Sequence, residues 1–203
     1  MLRIFSGSLS QILNRFNQLF SPKSQNLNVY QIGNPVLREI AEPITDVGDH
    51  EIQQLIDLML VTLKESKGVG LAAPQIGRSL RLMIVASHPN QRYPDAPQME
   101  PIAMINPEII SYSGNMEKGW EGCLSVPMIR GLVPRDRQIE VSYIDRQGDR
   151  QTTKLTDFVA RIFQHEYDHL EGKVFLDRVE TNLDLVSESE YYNILEAEKA
   201  ISS

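Results

Sequence analysis

A chain of 203 residues is long enough for one domain with a real core, and 41% apolar against 23% charged residues is an ordinary folded composition. A net charge of −7 argues against a mainly nucleic-acid-binding surface, so DNA is not an expected partner, and no apolar run approaches the roughly 18 residues of a membrane span. The single cysteine, Cys123, excludes an intramolecular disulfide and fits a reducing compartment; it is packing, a nucleophile or a metal ligand.

In chain order, residues 1–28 read as an extension before the body. Leu2, Phe5, Leu9, Ile12, Leu13, Phe16 and Phe20 recur at helical spacing until Pro22, and no acidic residue precedes Glu39. Such an acid-poor amphipathic segment suits an organelle transit peptide, a helix docking on the body or a partner, or an extension with little order. Two arginines, Arg3 and Arg15, are few for a transit peptide and tilt the reading toward the others.

The body spans 29–180. EIQQLIDLMLVTLKES (51–66) carries Ile52, Leu55, Leu58, Met59 and Leu63 in helical register, with Gly68 as its stop. RLMIVA (81–86) and IAMIN (102–106) read as strands around a proline-rich surface loop over 88–101. In QIEVSYID (138–145), Ile139, Val141 and Tyr143 alternate with polar residues, which predicts one wet face. RQGD (146–149) turns the chain into TTKLT (151–155), a hairpin. TDFVARIFQHEYDHLEG (156–172) reads as a helix, with Thr156 or Asp157 as cap and Gly172 as terminator. The polar tail 181–203 reads as a solvated helix around YYNILEAEKAI, with contact to the body or the ribosome left open. Helix, several strands and helix without βαβ alternation predict an α+β fold with mainly antiparallel sheet.

On the late helix, His165 and His169 stand four residues apart. Four residues advance a helix by roughly 400° and 6 Å, so both imidazoles reach one ion from the same side. Glu166 points beside them and suits a general base better than a third ligand. The missing ligand decides the class. HExxHxxGxxH zinc proteases need a histidine at 175, where this chain has Phe175. Other HExxH proteases take a glutamate from a later helix, where Glu188, Glu190, Glu196 and Glu198 lie. The remaining candidate is Cys123 in EGCLS (121–125), whose Gly122, Ser125 and Pro127 suggest irregular backbone. A thiolate binds Zn²⁺ or Fe²⁺ well.

GVGLAAPQIG (68–77) is no phosphate loop, since it lacks both GK[ST] and GxGxxG. It reads either as a plain turn or as a slim substrate-facing wall that ends in an amide donor, Gln75. A neutral donor aimed at a developing oxyanion contributes roughly 3–4 kcal/mol.

GVGLAAPQ (68–75), EGCLS (121–125) and QHEYDH (164–169), in this order and spacing, resemble the peptide deformylase family. The resemblance runs from about Gln31, with GNPVLR (33–38) near its start, to about Asp177, and no block departs from the pattern. It implies an α+β fold with antiparallel sheets packed around a central HExxH helix. It also implies removal of the formyl group from N-formyl-methionyl nascent peptides, with release of formate.

By position, the resemblance makes Cys123, His165 and His169 the ligands of one Fe²⁺, with Zn²⁺, Ni²⁺ or Co²⁺ in substituted forms. It makes Glu166 the base and then the acid, and Gln75 with the Leu124 N–H the oxyanion hole. Val69 and Phe158 would line the methionine pocket. Gly70 and the segment at Arg130 would hold the peptide backbone, and Glu121 would pair with Arg135. A bacterial or cyanobacterial cytoplasm is the implied compartment, with plastid or mitochondrion as alternative, and a transient ribosome contact is left open. Two other classes stay open on the residues alone: a metallopeptidase of another kind, and a binding module whose metal is structural.

Overall fold

The structure, a computed structural model, describes residues 27–202 apart from 91, 92 and 94. The helix expected over residues 2–20 lies outside the described residues.

The first helix, α1, is His50–Glu65, and the Asp49 side chain caps it by accepting from Glu51 N at 2.7 Å. Its expected stop moves by one residue. Lys67, not Gly68, takes the left-handed conformation (φ 52°), and Gly68 N closes the end by donating to Leu63 O at 3.2 Å. That is a six-to-one helix closure in which a side chain occupies the place usually given to glycine.

Five strands form one antiparallel sheet: β1 (Gly70–Ala72), β2 (Leu82–Ser87), β3 (Met99–Tyr112), β6 (Gln138–Ile144) and β7 (Arg150–Thr156), in the order β1-β2-β3-β6-β7. The strand expected over 102–106 is much longer, because β3 continues through Pro107 by a register shift between Ile105 and Glu108. Proline cannot donate to a ladder, so the shift is where it is tolerated. Beside it, Asn106 adopts φ 47° and turns its amide to Ile44, accepting at 2.9 Å and donating at 2.7 Å.

The second sheet is also antiparallel: β4 (Met116–Cys123), β5 (Val126–Asp136) and β8 (Leu185–Ser187). Two further helices are α2 (Asp157–Leu170) and α3 (Glu188–Ser202). The fold is therefore α+β with antiparallel sheets, as expected.

The core follows from β2, buried along its whole length. Alternate residues face opposite sides of a strand. Met83 and Val85 meet Ala160, Ile162, Phe163 and Leu170 of α2, while Leu82 and Ile84 meet Ile56, Met59 and Leu63 of α1. One strand thus anchors both helices, on opposite faces of the large sheet.

Three local expectations change. The polar face of β6 is not wet throughout: Ser142 is buried, and its hydroxyl accepts from Arg150 Nη1 at 3.4 Å. Neither Thr156 nor Asp157 caps α2 with its side chain. Asp157 sits at φ 50° with its carboxylate on Arg137 Nη2 at 2.8 Å, because the strand runs straight into the helix. The helix after residue 188 is not simply solvated. Tyr191 is 3% exposed and packs on Trp120 with ring centroids 5.7 Å apart. Among the described residues no helix is long and apolar enough to cross a membrane.

Candidate active site

A cleft opens where the two sheets and α2 meet. Helix α2 brings His165 and His169, the end of β4 brings Cys123, and the 3-10 turn Ala73–Ile76 after β1 brings Gln75. The two imidazoles sit one turn apart with centroids at 5.3 Å. Their ligating nitrogens and Cys123 Sγ lie within 4.8 Å of one another, and Sγ is 3.2 Å from His169 Nε2. Cys123 is the last residue of β4, paired with Val126 across a tight turn at Leu124 and Ser125. The irregularity expected around it is thus a strand end and not a loop. The Ser125 N–H donates back to Sγ at 3.4 Å.

The supports of this trio are charged. His165 Nδ1 is 2.9 Å from Glu121 Oε2, which leaves Nε2 for an ion. Arg135 grips Glu121 with two bonds, 2.9 Å from Nε and 3.0 Å from Nη2, and donates from Nη1 to Asp168 at 2.6 Å. This is the pair implied by the resemblance, extended by Asp168 and then by Arg178, whose Nη2 donates to Asp168 at 2.5 Å. Burial works to raise the Glu121 carboxyl, but Arg135 and His165 outweigh it and hold it far below the usual carboxylate range.

Burial likewise pushes the Cys123 thiol up. The charge of His169 and hydrogen bonds from both histidines more than reverse this and leave it well below its ordinary value. His165 moves the opposite way: burial disfavours its charge, yet Cys123 and Glu121 hold it well above its ordinary value. An ionised thiol is the form that binds metal. One thiolate and two imidazoles fit a divalent ion of the zinc or iron type. Among the described residues this trio is the cluster that could hold one. The later glutamates do not join it, and Glu188 pairs instead with Arg130.

Glu166 is 4% exposed and lines the same cleft, and its Oε2 has no hydrogen-bond partner among the described residues. Burial raises its carboxyl to about 7, against the lowering charges of His165 and His169. A carboxyl poised there can both take and give a proton near neutral pH. Gly70 makes room for it, since a Cβ at 70 would stand 2.3 Å from Glu166 Oε1.

Gln75 is buried, with its amide orientation fixed. Oε1 accepts from Ala72 N at 2.8 Å, and Nε2 donates to Cys123 Sγ at 3.4 Å and Ser125 Oγ at 3.3 Å. Val69, Leu124 and Phe158 also line the cleft. Arg130 stands beside it. It is buried in an adjoining groove against Glu188, 5.4 Å from the Tyr191 ring centroid, and close enough to Gly122 that a Cβ there would meet Nη1 at 1.7 Å.

Some site residues escaped the sequence reading. Arg161 is spaced one turn before His165, and Asp168 lies inside the HExxH stretch; both positions were legible as neighbours but not as partners. Tyr93, whose ring is 4.7 Å from Phe158 in the cleft wall, comes from the proline-rich loop and carried no signal.

Against known proteins, a family model described as polypeptide deformylase matches residues 26–184. A peptide deformylase 2 of Nostoc sp. is 57% identical over 169 residues, 83% of this chain and 94% of the relative. Another from Shewanella oneidensis is 47% identical over 152 residues, 75% of this chain and 83% of the relative. Among solved structures, a Met-Ala-Ser-bound class I type b peptide deformylase from Acinetobacter baumannii gives a TM-score of 0.76 at 46% identity, covering 77% of this chain and 100% of that one. A peptide deformylase from Synechococcus elongatus in complex with actinonin gives 0.70 at 37% identity, covering 79% of this chain and 82% of that one.

Proposed function

The chain belongs to the peptide deformylase family, and from that premise we propose how its own residues carry the reaction. It is a hydrolase that removes the N-formyl group from the formyl-methionine of nascent polypeptides, in a family that depends on a metal.

Cys123, His165 and His169 would hold the ion. When bound, the ion supplies Lewis-acid chemistry, polarising the formyl carbonyl and making water a better nucleophile. Glu166 takes a proton from the attacking water. A C–O bond forms at the formyl carbon, negative charge moves onto the former carbonyl oxygen, and the Gln75 amide and the Leu124 N–H donate to it. The C–N bond then breaks as Glu166 passes its proton to the leaving nitrogen. Formate and a free N-terminal methionine leave. Oε1 of Gln75 is held by Ala72 N–H, so Nε2 is its donor end, and the developing oxyanion would draw it from Cys123 Sγ and Ser125 Oγ, its partners here.

Val69 and Phe158 offer an apolar wall for the methionine side chain. β1 is an edge strand of the large sheet and Gly70 lies on the cleft, so that edge would suit an extended peptide, held from the other side by the segment at Arg130. The catalytic unit is 29–180, with 1–28 as an extension and 181–203 as a segment that braces β5 through β8. The resident ion is Fe²⁺, replaceable by Zn²⁺, Ni²⁺ or Co²⁺. The work is done in a bacterial or cyanobacterial cytoplasm, in transient contact with the ribosome that presents the chain; the relatives' organisms and the substrate support this.

The observation that carries this reading is the thiol and two imidazoles of Cys123, His165 and His169, whose donor atoms cluster within 4.8 Å, with the buried Glu166 carboxyl beside them and its Oε2 without a partner among the described residues. The test is release of the free N-terminal amine, with formate from formyl-Met-Ala-Ser or acetate from acetyl-Met-Ala-Ser. Release from the formyl peptide alone is expected; hydrolysis of both, or of neither by metal-loaded protein, would contradict it. For iron, both Fe²⁺ and the thiolate are oxidisable. The iron form should lose activity in air over hours while the nickel form keeps it, and an air-stable iron form would remove iron from the reading.

A further inference from the structure

Arg161 joins α2 to both strands of the hairpin that ends in Cys123. It stands one helical turn before His165, on the same side of α2 as the two histidines. Its guanidinium crosses to the hairpin of β4 and β5. Nη1 donates to Val133 O at 2.7 Å, to Glu121 Oε1 at 3.0 Å and to Gly119 O at 3.3 Å, and Nη2 donates to Glu117 O at 2.6 Å.

These partners carry the meaning. Gly119 and Val133 face each other in register, so one guanidinium holds both strands of the hairpin whose far end is Cys123. Glu121 offers Arg161 one oxygen and His165 the other. Gly119 is what lets the group lie there, since a Cβ would stand 2.7 Å from the guanidinium carbon. A planar fork with several fixed donors can do this, whereas the single ammonium of lysine could keep the charge at Glu121 but not the carbonyls on two strands.

We infer that Arg161 is a positioning residue for deformylation: it sets the hairpin against α2, and so the separation of Cys123 Sγ from the two imidazoles. The inference rests on the reading that Cys123, His165 and His169 hold the metal. Its consequence is specific. Loss of Arg161 loosens the thiolate relative to the histidines, which weakens ion binding and slows turnover; because Arg161 also lines the cleft near Phe158, the metal site itself is the readout that tests its positioning role.

The test titrates the metal-free, full-length chain with cobalt(II), reading affinity and the sulfur-to-cobalt absorption band, beside kcat and KM for a formyl-Met tripeptide. Arg161→Met should bind cobalt roughly 10–100-fold more weakly, the usual cost of losing a group that orients a ligand, with an altered band. Its kcat should fall, and Arg161→Lys should recover part of both losses. Arg146→Met removes an arginine bonded to Gln53 and Asp57 of α1, and should leave cobalt affinity unchanged. An Arg161→Met protein with wild-type affinity and band would overturn the inference. If that variant does not fold, Gly119→Ala decides, because it displaces the guanidinium and keeps its charge. A weaker, altered cobalt site supports the inference and an unaltered one overturns it. A wild-type chain without any sulfur-to-cobalt band would overturn the metal reading itself, and the inference with it.

Discussion

In the five-stranded sheet, β2 is buried at all six positions and helices cover both faces, whereas the three-stranded sheet rests on Val126, Val133, Val174 and Phe175 and on a ladder of charges. The first is held by dispersion and water exclusion, which are strong but tolerant of direction, about 1.5–3 kcal/mol for each large apolar side chain fully buried. The second is held by Arg178, Asp168, Arg135, Glu121 and Arg161, linked by bonds that fail if an atom moves by an ångström. A buried ion pair adds little net stability compared with an apolar replacement, so the ladder is better read as a device for position. The candidate site lies on the seam: Cys123 comes from the charge-held sheet, Gly70 and the turn carrying Gln75 from the apolar one, and the histidines from the helix between them.

The largest effect should come at the seam. Glu166→Gln should cut kcat by roughly 10²–10⁴-fold, the range for loss of a general acid–base group, with metal per chain unchanged. Formate release and metal analysis on one preparation check both halves, and retained turnover would remove the base.

Next come one change in each sheet. Arg135→Met leaves Glu121 and Asp168 buried without their shared partner, and should cost about 3–5 kcal/mol in denaturant unfolding. Ile84→Val, in the apolar core, should cost about 0.5–1.5 kcal/mol and leave kcat alone. Equal costs, or a kcat loss in the valine variant, would break the contrast between the sheets.

Acid should find the ladder first. Burial raises the Asp168 carboxyl, but Arg178 and Arg135 bring it below its ordinary 3.8. A depressed carboxyl contributes stability that is present above its unfolded pKa and lost as pH falls through the folded one. Unfolding stability should therefore decline below pH 3.8, and less steeply in Asp168→Asn; parallel slopes would contradict the assignment. The smallest effect belongs to the exposed pair of Arg146 and Asp57, whose loss should move stability by about 1 kcal/mol or less.

Periodicity and turn chemistry carried much of the fold into view. The spacing of Ile162, Phe163 and Leu170 announced α2, and RQGD announced the β6–β7 hairpin, with Gly148 at φ 94°. The proline at 107 hid half of β3, because a bulge that accommodates proline looks in sequence like a strand's end. The docking of α3 was hidden too, since one buried tyrosine among Glu188, Glu190 and Glu196 leaves a helix reading as polar. At the site, His165, Glu166, His169 and Cys123 were legible because metal and proton chemistry restrict residue type. Arg161, Asp168 and Arg178 were not, because a salt bridge can be drawn from any arginine to any acid until the backbone brings two of them together.

X-ray absorption on metal-loaded wild-type protein and on Cys123→Ser asks whether the Cys123 sulfur binds the ion. The wild type should show one sulfur at roughly 2.3 Å and two imidazole nitrogens at roughly 2.0–2.1 Å from the ion, and the variant should lose the sulfur shell. A wild-type spectrum without sulfur, or a sulfur shell that survives the substitution, would contradict it.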